Sequence, residues 1–311
     1  MNTLLFPGQG SQVVGMGKQF YDEFNIVKKI FDEADEKLKF KLSNIILEGP
    51  ADQLQLTKNT QPAILVVSYS IFKVLREEFN FDLKKFKFFA GHSLGEYSAL
   101  VCSESLNFSD AVYLLHERGK AMQQAVPIGK GSMIAVLGLN INEIRALLDK
   151  RDDKKLICEI ANDNADGQII LSGEKSGIDK FQQNLQKNKV KSIPLKVSAP
   201  FHCSLMKPAA KSMKEKIEST NFKDPMVKII NNVTASAENR SEIIKKLLVD
   251  QIFSTVKWRE SLINMSNNGI KNYIEIGPGK VLTGMVKRTI KNSVCFSINS
   301  IDDINKFINE S

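Results

Sequence analysis

Short apolar runs alternate with segments of helical periodicity along most of this chain, and this alternation limits the possible fold more than any other feature. Between the runs, residues 61–79 and 109–125 place apolar side chains at helical spacing. Strands that alternate with helices build a mostly parallel sheet. The sequence therefore predicts an α/β fold. Its clearest strands each end in a glycine-containing or polar turn and span residues 3–6, 86–90, 226–230, 273–276 and 294–298.

The pattern changes after residue 130. Residues 131–196 read as strand, helix, strand, strand, helix, strand, which is the order of a ferredoxin-like unit. We therefore predict a ferredoxin-like α+β subdomain at 131–196, inserted into a large α/β-hydrolase-like domain of residues 1–130 and 197–311. A chain of 311 residues with 42% hydrophobic content can bury cores of this size.

Charge and apolar content exclude several classes of protein. The net charge of +8 comes from scattered lysines, without a basic arm interleaved with aromatics or a nucleic-acid-binding motif, so we expect no nucleic-acid partner. Such a surface either attracts an acidic or phosphorylated partner or simply keeps the protein solvated. The longest apolar stretches, 64–67 and 133–137, fall far short of the roughly 20 residues of a membrane helix. With no signal-peptide pattern at the N-terminus, we expect a cytoplasmic protein without a membrane partner.

Metal and cofactor motifs are missing as well. The four cysteines lie far apart and form no CxxC pair, so neither a disulfide framework nor a zinc site is predicted. Neither G-x-x-x-x-G-K-[ST] nor G-x-G-x-x-G occurs, which argues against a nucleotide site. We expect no metal and no bound cofactor.

The segment Gly91-His92-Ser93-Leu94-Gly95 lies between a predicted strand and a predicted helix. In that context G-x-S-x-G forms a nucleophile elbow, because glycines on both sides allow a sharp turn that exposes the serine. A helix that begins after the serine also directs its N-terminal amides toward negative charge at that position. The alternative is an ordinary glycine-serine loop.

A serine nucleophile needs a base, and the chain has only three histidines. His92 adjoins the serine, where the turn directs neighbouring side chains apart, so packing or hydrogen bonding beneath the elbow fits it better. His116 lies on the polar side of a helix. His202 follows Ala199-Pro200-Phe201 in an irregular segment and is the best candidate by elimination. No Asp or Glu is marked as the third member of a triad.

Arg118 occupies a core-facing position on the helix of residues 109–125, where an unpaired charge is costly. One explanation is a buried salt bridge to an acid such as Glu96. The other is a guanidinium that binds a substrate carboxylate through a bidentate pair.

The loop of residues 6–12 follows the first predicted strand and also has two explanations. It is either a plain turn, or its glycines bring backbone amides close to a reacting oxygen at the carboxyl end of that strand.

Six segments together resemble the malonyl-CoA:acyl carrier protein transacylase family of bacterial fatty-acid synthesis. They occur in the family's order and spacing over nearly the whole chain, and an inserted ferredoxin-like unit is also typical of that family. The segments are FPGQGSQ at 6–12, TQPA at 60–63, GHSLGEYSAL at 91–100, ERGKAMQQA at 117–125, APFH at 199–202 and EIGPGKVL at 275–282.

The resemblance implies a role for each matching position. Ser93 would be the nucleophile, His202 the base and Arg118 the clamp on the malonyl carboxylate. In this family a main-chain carbonyl orients the histidine, and the matching position here is Gln251. The implied reaction moves malonyl from malonyl-CoA to acyl carrier protein with ping-pong kinetics, in a protein that we expect to be a monomer.

Further positions would complete the pocket. The resemblance assigns the backbone amides of Gln9 and Leu94 to the oxyanion hole, and Met122 and Phe201 to the wall of the acyl pocket. Three rival functions stay open: an esterase of the α/β-hydrolase class, a stand-alone acyltransferase that serves a polyketide synthase, and a catalytically inactive module that binds acyl carrier protein. The esterase usually places an acid between serine and a late histidine, and the inactive module would need none of the three reactive side chains.

Overall fold

The computed structural model describes residues 1–151 and 153–310. Within these ranges the strands are β1 (Asn2–Phe6), β2 (Phe86–Gly91), β3 (Gly131–Leu137), β4 (Cys158–Ala165), β5 (Gln168–Glu174), β6 (Lys191–Pro194), β7 (Lys228–Ile230), β8 (Ala237–Glu238), β9 (Asn272–Ile276) and β10 (Val294–Ile298). The helices are α1 (Lys18–Glu23), α2 (Asn25–Leu38), α3 (Leu42–Leu47), α4 (Ala51–Gln55), α5 (Thr57–Glu78), α6 (Gly95–Cys102), α7 (Phe108–Gln124), α8 (Ile141–Asp149), α9 (Lys175–Lys187), α10 (Lys207–Ser219), α11 (Ser241–Gln251), α12 (Trp258–Asn267), α13 (Val281–Thr289) and α14 (Ile301–Glu310).

The larger sheet has six strands in the order β10-β9-β1-β2-β7-β8. Every pairing in it is parallel except that of β8 with β7, so the predicted mostly parallel sheet is confirmed. Side chains along its central strands alternate between two apolar layers. Leu4 and Phe89 pack with α5, α6 and α7 on one face, whereas Leu5 and Ala90 pack with Trp258 on the other. Ligands of such sheets bind at the carboxyl ends of the strands, where β1 and β2 both stop.

The smaller sheet is antiparallel throughout, in the order β4-β5-β3-β6. With α8 and α9 it has the ferredoxin-like arrangement that the element order predicts. All four strands fall between residues 131 and 196; the boundaries themselves stay a prediction. The second strand of this unit, β4, extends over Cys158–Ala165. Its last residues are polar and resemble a loop in the sequence, but they are buried and hydrogen-bonded in the fold.

Helix α7 carries Arg118 and begins with a local signal. The side chain of Asn107 accepts a hydrogen bond from the Ser109 amide, which satisfies one of the free amides of the first turn. Farther along, Gly119 lets α7 approach the start of α5 closely, because a Cβ there would lie 2.5 Å from Cα of Lys58. The close contact fixes the position of Arg118 relative to the sheet.

No helix among the described residues is long and apolar enough to cross a membrane. All four cysteines are free thiols.

Candidate active site

The turn between β2 and α6 has the geometry of a nucleophile elbow. Ser93 has a φ of +53°, a left-handed conformation that costs energy for any residue other than glycine. A Cβ on Gly91 would lie 1.9 Å from the carbonyl of Gly95, and a Cβ on Gly95 would lie 2.2 Å from the carbonyl oxygen of Phe6. The two glycines are therefore required by close backbone approach on both sides of the serine.

His202 lies directly against this serine. Its Nε2 is 2.8 Å from Oγ of Ser93, and its Nδ1 is 2.8 Å from the main-chain oxygen of Gln251. Because a carbonyl only accepts, Nδ1 carries the hydrogen in the neutral ring and Nε2 is free to accept from the serine hydroxyl. Burial, together with the nearby Arg118 charge, lowers the pKa of His202 to about 3. The imidazole is therefore neutral at physiological pH and available as a proton acceptor.

The other two histidines point elsewhere. Nε2 of His92 is 2.8 Å from Oδ1 of Asn164, and its ring packs edge-on against Trp258. Nδ1 of His116 is 2.9 Å from the carbonyl oxygen of Lys58. Both side chains thus have structural partners away from Ser93.

Arg118 is buried, with only 1% of its surface exposed, and it faces the same serine. It donates to Oε1 of Gln61 at 2.7 Å, to Oε1 of Gln251 at 2.9 Å and to Oγ of Ser93 at 3.2 Å. Its Nε has no hydrogen-bond partner in the part of the chain that the structure describes. Among the described residues no carboxylate lies within 4.0 Å of this guanidinium, so the expected alternative of a salt bridge to Glu96 is wrong. Neutral amides surround the charge instead.

Several residues that support the elbow were not identified from the sequence. Oδ1 of Asn232 accepts from the Ser93 amide at 2.7 Å, and its Nδ2 donates to the carbonyl oxygen of Gly91 at 2.8 Å. Behind it Asn231 forms a buried hydrogen-bond network with Glu96, which the sequence suggested only as a salt-bridge partner of Arg118. Their position in the sequence could have indicated them, because the two asparagines directly follow β7, at the carboxyl edge of the parallel sheet where ligands bind.

A cavity of about 190 Å³ opens beside Ser93, between the two sheets. The smaller sheet contributes Met133, Asn162 and Ile170 to its wall. Of the residues proposed for the site from the sequence, only Gln251 does not line it; its carbonyl reaches His202 from behind. Those that line the cavity are Gln9, Ser93, Leu94, Arg118, Met122, Phe201 and His202.

The backbone amides of Gln9 and Leu94 donate to no protein acceptor within residues 1–151 and 153–310. Both residues line the cavity beside Ser93, so these amides are available to an oxygen of a bound molecule. In the same part of the chain, no three His, Cys, Asp or Glu side chains are grouped closely enough to hold a metal ion.

The fold agrees with comparisons to known proteins. The family model described as acyl transferase domain matches residues 3–306. Malonyl CoA-acyl carrier protein transacylase of Bacillus subtilis is 42% identical over 310 residues, which cover 97% of this chain and 94% of the relative. The crystal structure of acyl-carrier-protein-S-malonyltransferase from Bartonella henselae superposes with a TM-score of 0.96 at 40% identity, over 99% of this chain and 98% of that one. A malonyl-transacylase in complex with a type II polyketide-synthase acyl-carrier protein gives a TM-score of 0.95 at 35% identity, over 100% of this chain and 99% of that one.

Proposed function

This chain belongs to the acyl transferase family, and we propose from that premise that it transfers malonyl groups from coenzyme A to acyl carrier protein. The reaction serves fatty-acid synthesis and proceeds through a malonyl ester on Ser93. One observation carries the choice of acyl group. The buried guanidinium of Arg118 shares a cavity with Ser93 and His202, and no carboxylate in residues 1–151 and 153–310 is in contact with it. An acyl group that ends in a carboxylate supplies that missing partner.

The first half-reaction forms the ester. The Ser93 hydroxyl gives its proton to Nε2 of His202 while Oγ attacks the thioester carbonyl of malonyl-CoA. The Gln251 carbonyl accepts the Nδ1 hydrogen, which keeps the ring oriented and stabilises the imidazolium that forms. His202 then returns the proton to the departing coenzyme A thiolate. No acid is needed behind the histidine, so Ser93 and His202 act as a dyad.

The second half-reaction reverses the first with a new thiol. The phosphopantetheine thiol of acyl carrier protein gives its proton to His202 and attacks the malonyl ester, and Ser93 leaves with that proton. In both halves the amides of Gln9 and Leu94 stabilise the tetrahedral oxyanion, a contribution that is often the largest in acyl transfer. Met122 and Phe201 form apolar walls of the acyl pocket. This chemistry uses no cofactor.

Arg118 binds a group remote from the reacting carbon, so its contribution is orientation and selectivity. Its Nε has no partner among the described residues, and the adjoining Nη2 donates to Ser93 and Gln251. A malonyl carboxylate that replaces the Ser93 contact would receive two parallel donors, from Nε and Nη2. We further propose a cytoplasmic monomer, from the resemblance to bacterial transacylases.

Intact mass spectrometry after mixing with malonyl-CoA tests the proposal. We expect a malonyl adduct that maps to Ser93, disappears when the phosphopantetheine form of acyl carrier protein is added, and is absent from the Ser93→Ala variant. A folded wild-type protein that forms no adduct would contradict it and support an inactive carrier-binding module. Release of free malonate without transfer to the carrier would support an esterase.

A polyketide-synthase acyltransferase is the second candidate, because one solved relative is a malonyl-transacylase bound to a type II polyketide-synthase carrier. The chemistry is the same in both cases. Parallel transfer assays with a fatty-acid carrier and a polyketide carrier distinguish them. We expect the larger kcat/KM with the fatty-acid carrier; a larger value with the polyketide carrier would reverse the assignment.

A further inference from the structure

Glu96 is a fully buried carboxylate that the proposed reaction does not use. It accepts hydrogen bonds from the side chain of Asn231, from the Asn232 amide at 3.1 Å and from Nε2 of Gln251 at 2.7 Å. Burial raises the pKa of Glu96 to about 7, although these hydrogen bonds and the Arg118 charge limit the rise. A buried carboxylate is costly compared with an apolar side chain of the same size. Its place at the first turn of α6, three residues after Ser93, therefore suggests a role in the site.

The Gln251 carboxamide lies between Glu96 and Arg118, and these neighbours fix which way it faces. Both oxygens of Glu96 accept hydrogen bonds, one from the Asn231 side chain and one from the Asn232 amide, and a guanidinium only donates them. Nε2 of Gln251 must therefore face Glu96, as it does at 2.7 Å, and Oε1 must face Arg118, as it does at 2.9 Å. The same Nε2 is 3.1 Å from the carbonyl oxygen of Ser93. The opposite orientation would place donor against donor at Arg118.

This arrangement places a carboxylate behind the arginine charge without a direct ion pair. Glu96 is the acid that lies behind Arg118, but one amide side chain separates them, and Gln61 on the other side is neutral too. A carboxylate in direct contact would form a bidentate pair and compete with the substrate carboxylate for the same donors. The intervening amide accepts one hydrogen bond from Nη2 of Arg118, which holds the guanidinium in place, and Nε keeps no partner among the described residues.

We propose that Glu96 is a positioning residue that sets acyl-group selectivity, by orienting the Gln251 carboxamide so that Arg118 is held with its free donors toward a substrate carboxylate. The inference rests on the proposed malonyl transfer and assigns Glu96 no contact with the reacting atoms. It follows that Glu96 affects malonyl more than acetyl, because acetyl has no group for Arg118 to bind.

The first test is Glu96→Gln, which keeps the shape and removes the charge. The main-chain amide of Val233 donates to Oδ1 of Asn231 and so fixes that side chain as a donor toward position 96. An amide at 96 therefore opposes a donor either at Asn231 or at Gln251. We expect the ratio of kcat/KM for malonyl-CoA to that for acetyl-CoA to fall about tenfold or more, mainly through KM for malonyl-CoA. A ratio that stays unchanged or rises would overturn the proposal.

The second test combines Glu96→Gln with Gln251→Glu, which keeps the number of buried carboxylates and moves the charge into contact with Arg118. The main-chain carbonyl at 251 still orients His202. We expect the malonyl-to-acetyl ratio to fall about a hundredfold, because the new ion pair occupies the donors that malonyl needs. A ratio equal to that of the wild type would show that the separation of the two charges has no function, and would also overturn the proposal.

The control is Asp35→Asn in α2, a buried carboxylate outside the cavity lining that accepts two hydrogen bonds from Ser43 and pairs with Lys41. Like Glu96→Gln, this substitution removes the charge of a buried, hydrogen-bonded carboxylate and should lower stability. We expect the malonyl-to-acetyl ratio of kcat/KM to stay unchanged. If Asp35→Asn lowers the ratio as much as Glu96→Gln does, the effect is general destabilisation and the proposal fails. Failure of the proposed function is distinguishable, since then the wild type itself shows no preference for malonyl.

Discussion

At the residue scale, one buried charge separates this site from that of a generic serine acyl enzyme. In the proposed function Ser93 and His202, which are in hydrogen-bond contact, supply a nucleophile and a base, a pair that many hydrolases share. Arg118 adds a cation, and amides balance it in place of a contacting acid. Burying an arginine in this way is costly unless a ligand completes its pairing. The cost is a physical reason to expect a carboxylated substrate.

Replacing Arg118 with Ala tests that reasoning. We expect kcat/KM for malonyl transfer to fall about a hundred- to a thousandfold, as for the loss of a desolvated charge pair, and kcat/KM for acetyl transfer to fall less than about tenfold. Steady-state kinetics with malonyl-CoA and acetyl-CoA measure both. Equal losses with the two substrates would contradict the carboxylate clamp.

The protonation state of His202 gives a second prediction at this scale. Its pKa in the folded protein is lowered from 6.5 to about 3, so the stability linked to the neutral ring is fully present above pH 6.5 and is lost as the pH falls toward 3. We expect the imidazole proton resonance of His202, assigned by comparison with His202→Ala, to keep its neutral position between pH 8 and pH 5. A titration midpoint near 6.5 would show that the ring is solvated and not held as the structure describes.

At the element scale, the packing of α7 on α5 sets where Arg118 enters the cavity. The two helices meet at Gly119, the neighbour of Arg118, where a Cβ would lie 2.5 Å from Cα of Lys58 and 2.6 Å from the carbonyl oxygen of Thr57. Backbone atoms cannot move aside as the end of a flexible side chain does. The close contact of α7 with α5, and with it the position of Arg118, therefore requires glycine at 119.

Gly119→Ala should consequently destabilise the protein, although alanine has the higher helix propensity. We expect a loss of about 1–3 kcal/mol in the free energy of unfolding, measured by urea denaturation. The matched control is Gly284→Ala in α13, where nothing lies within 4 Å of the added Cβ and the φ is not left-handed. There we expect a gain of about 0.4–1 kcal/mol. A gain at both positions would contradict the close packing of α5 and α7.

At the scale of the whole molecule, β4 joins the smaller sheet to the larger domain and to the site. Its register shifts after residues 160 and 163, and such irregularities redirect side chains. Asn162 lines the cavity, Asp163 pairs with Arg259, and Asn164 reaches His92 beside the nucleophile. Main-chain hydrogen bonds between residues 161–163 and Val256 complete the junction.

Arg259→Met tests how much this junction contributes. It leaves the fully buried carboxylate of Asp163 without its cation, and we expect a loss of about 3 kcal/mol in the free energy of unfolding at pH 7. The loss should shrink toward low pH, because without the Arg259 charge the pKa of Asp163 rises further and the acid is protonated more readily. Lys18→Met, in an exposed pair with Glu48, is the control and should cost less than about 1 kcal/mol. Equal losses in the two variants would mean that the junction does not depend on this ion pair.

Local patterns in the sequence by themselves predicted much of the fold and part of the site. Alternating apolar runs and helical periodicity predicted the parallel sheet and the ferredoxin-like order, because both depend on spacing between near neighbours. The glycine spacing of the elbow predicted Ser93 as the nucleophile, and counting histidines left His202. An arginine on an apolar helix face was visible as an anomaly. By itself it left two explanations open, a buried salt bridge or a clamp on a substrate carboxylate, and the proposal of a malonyl clamp came from the family resemblance.

Tertiary structure alone decided which distant groups meet. Arg118 had two candidate partners by sequence, and the fold brought it to the amides of Gln61 and Gln251, which lie 57 and 133 residues away. Glu96 and Asn232, which form a buried hydrogen bond, are 136 residues apart in the sequence, and no periodic pattern in the sequence indicates their contact. Periodicity records which face of an element is buried. The partner on that face is set by how the chain crosses between strands, and here those crossings bring α11 and its Gln251 against the elbow.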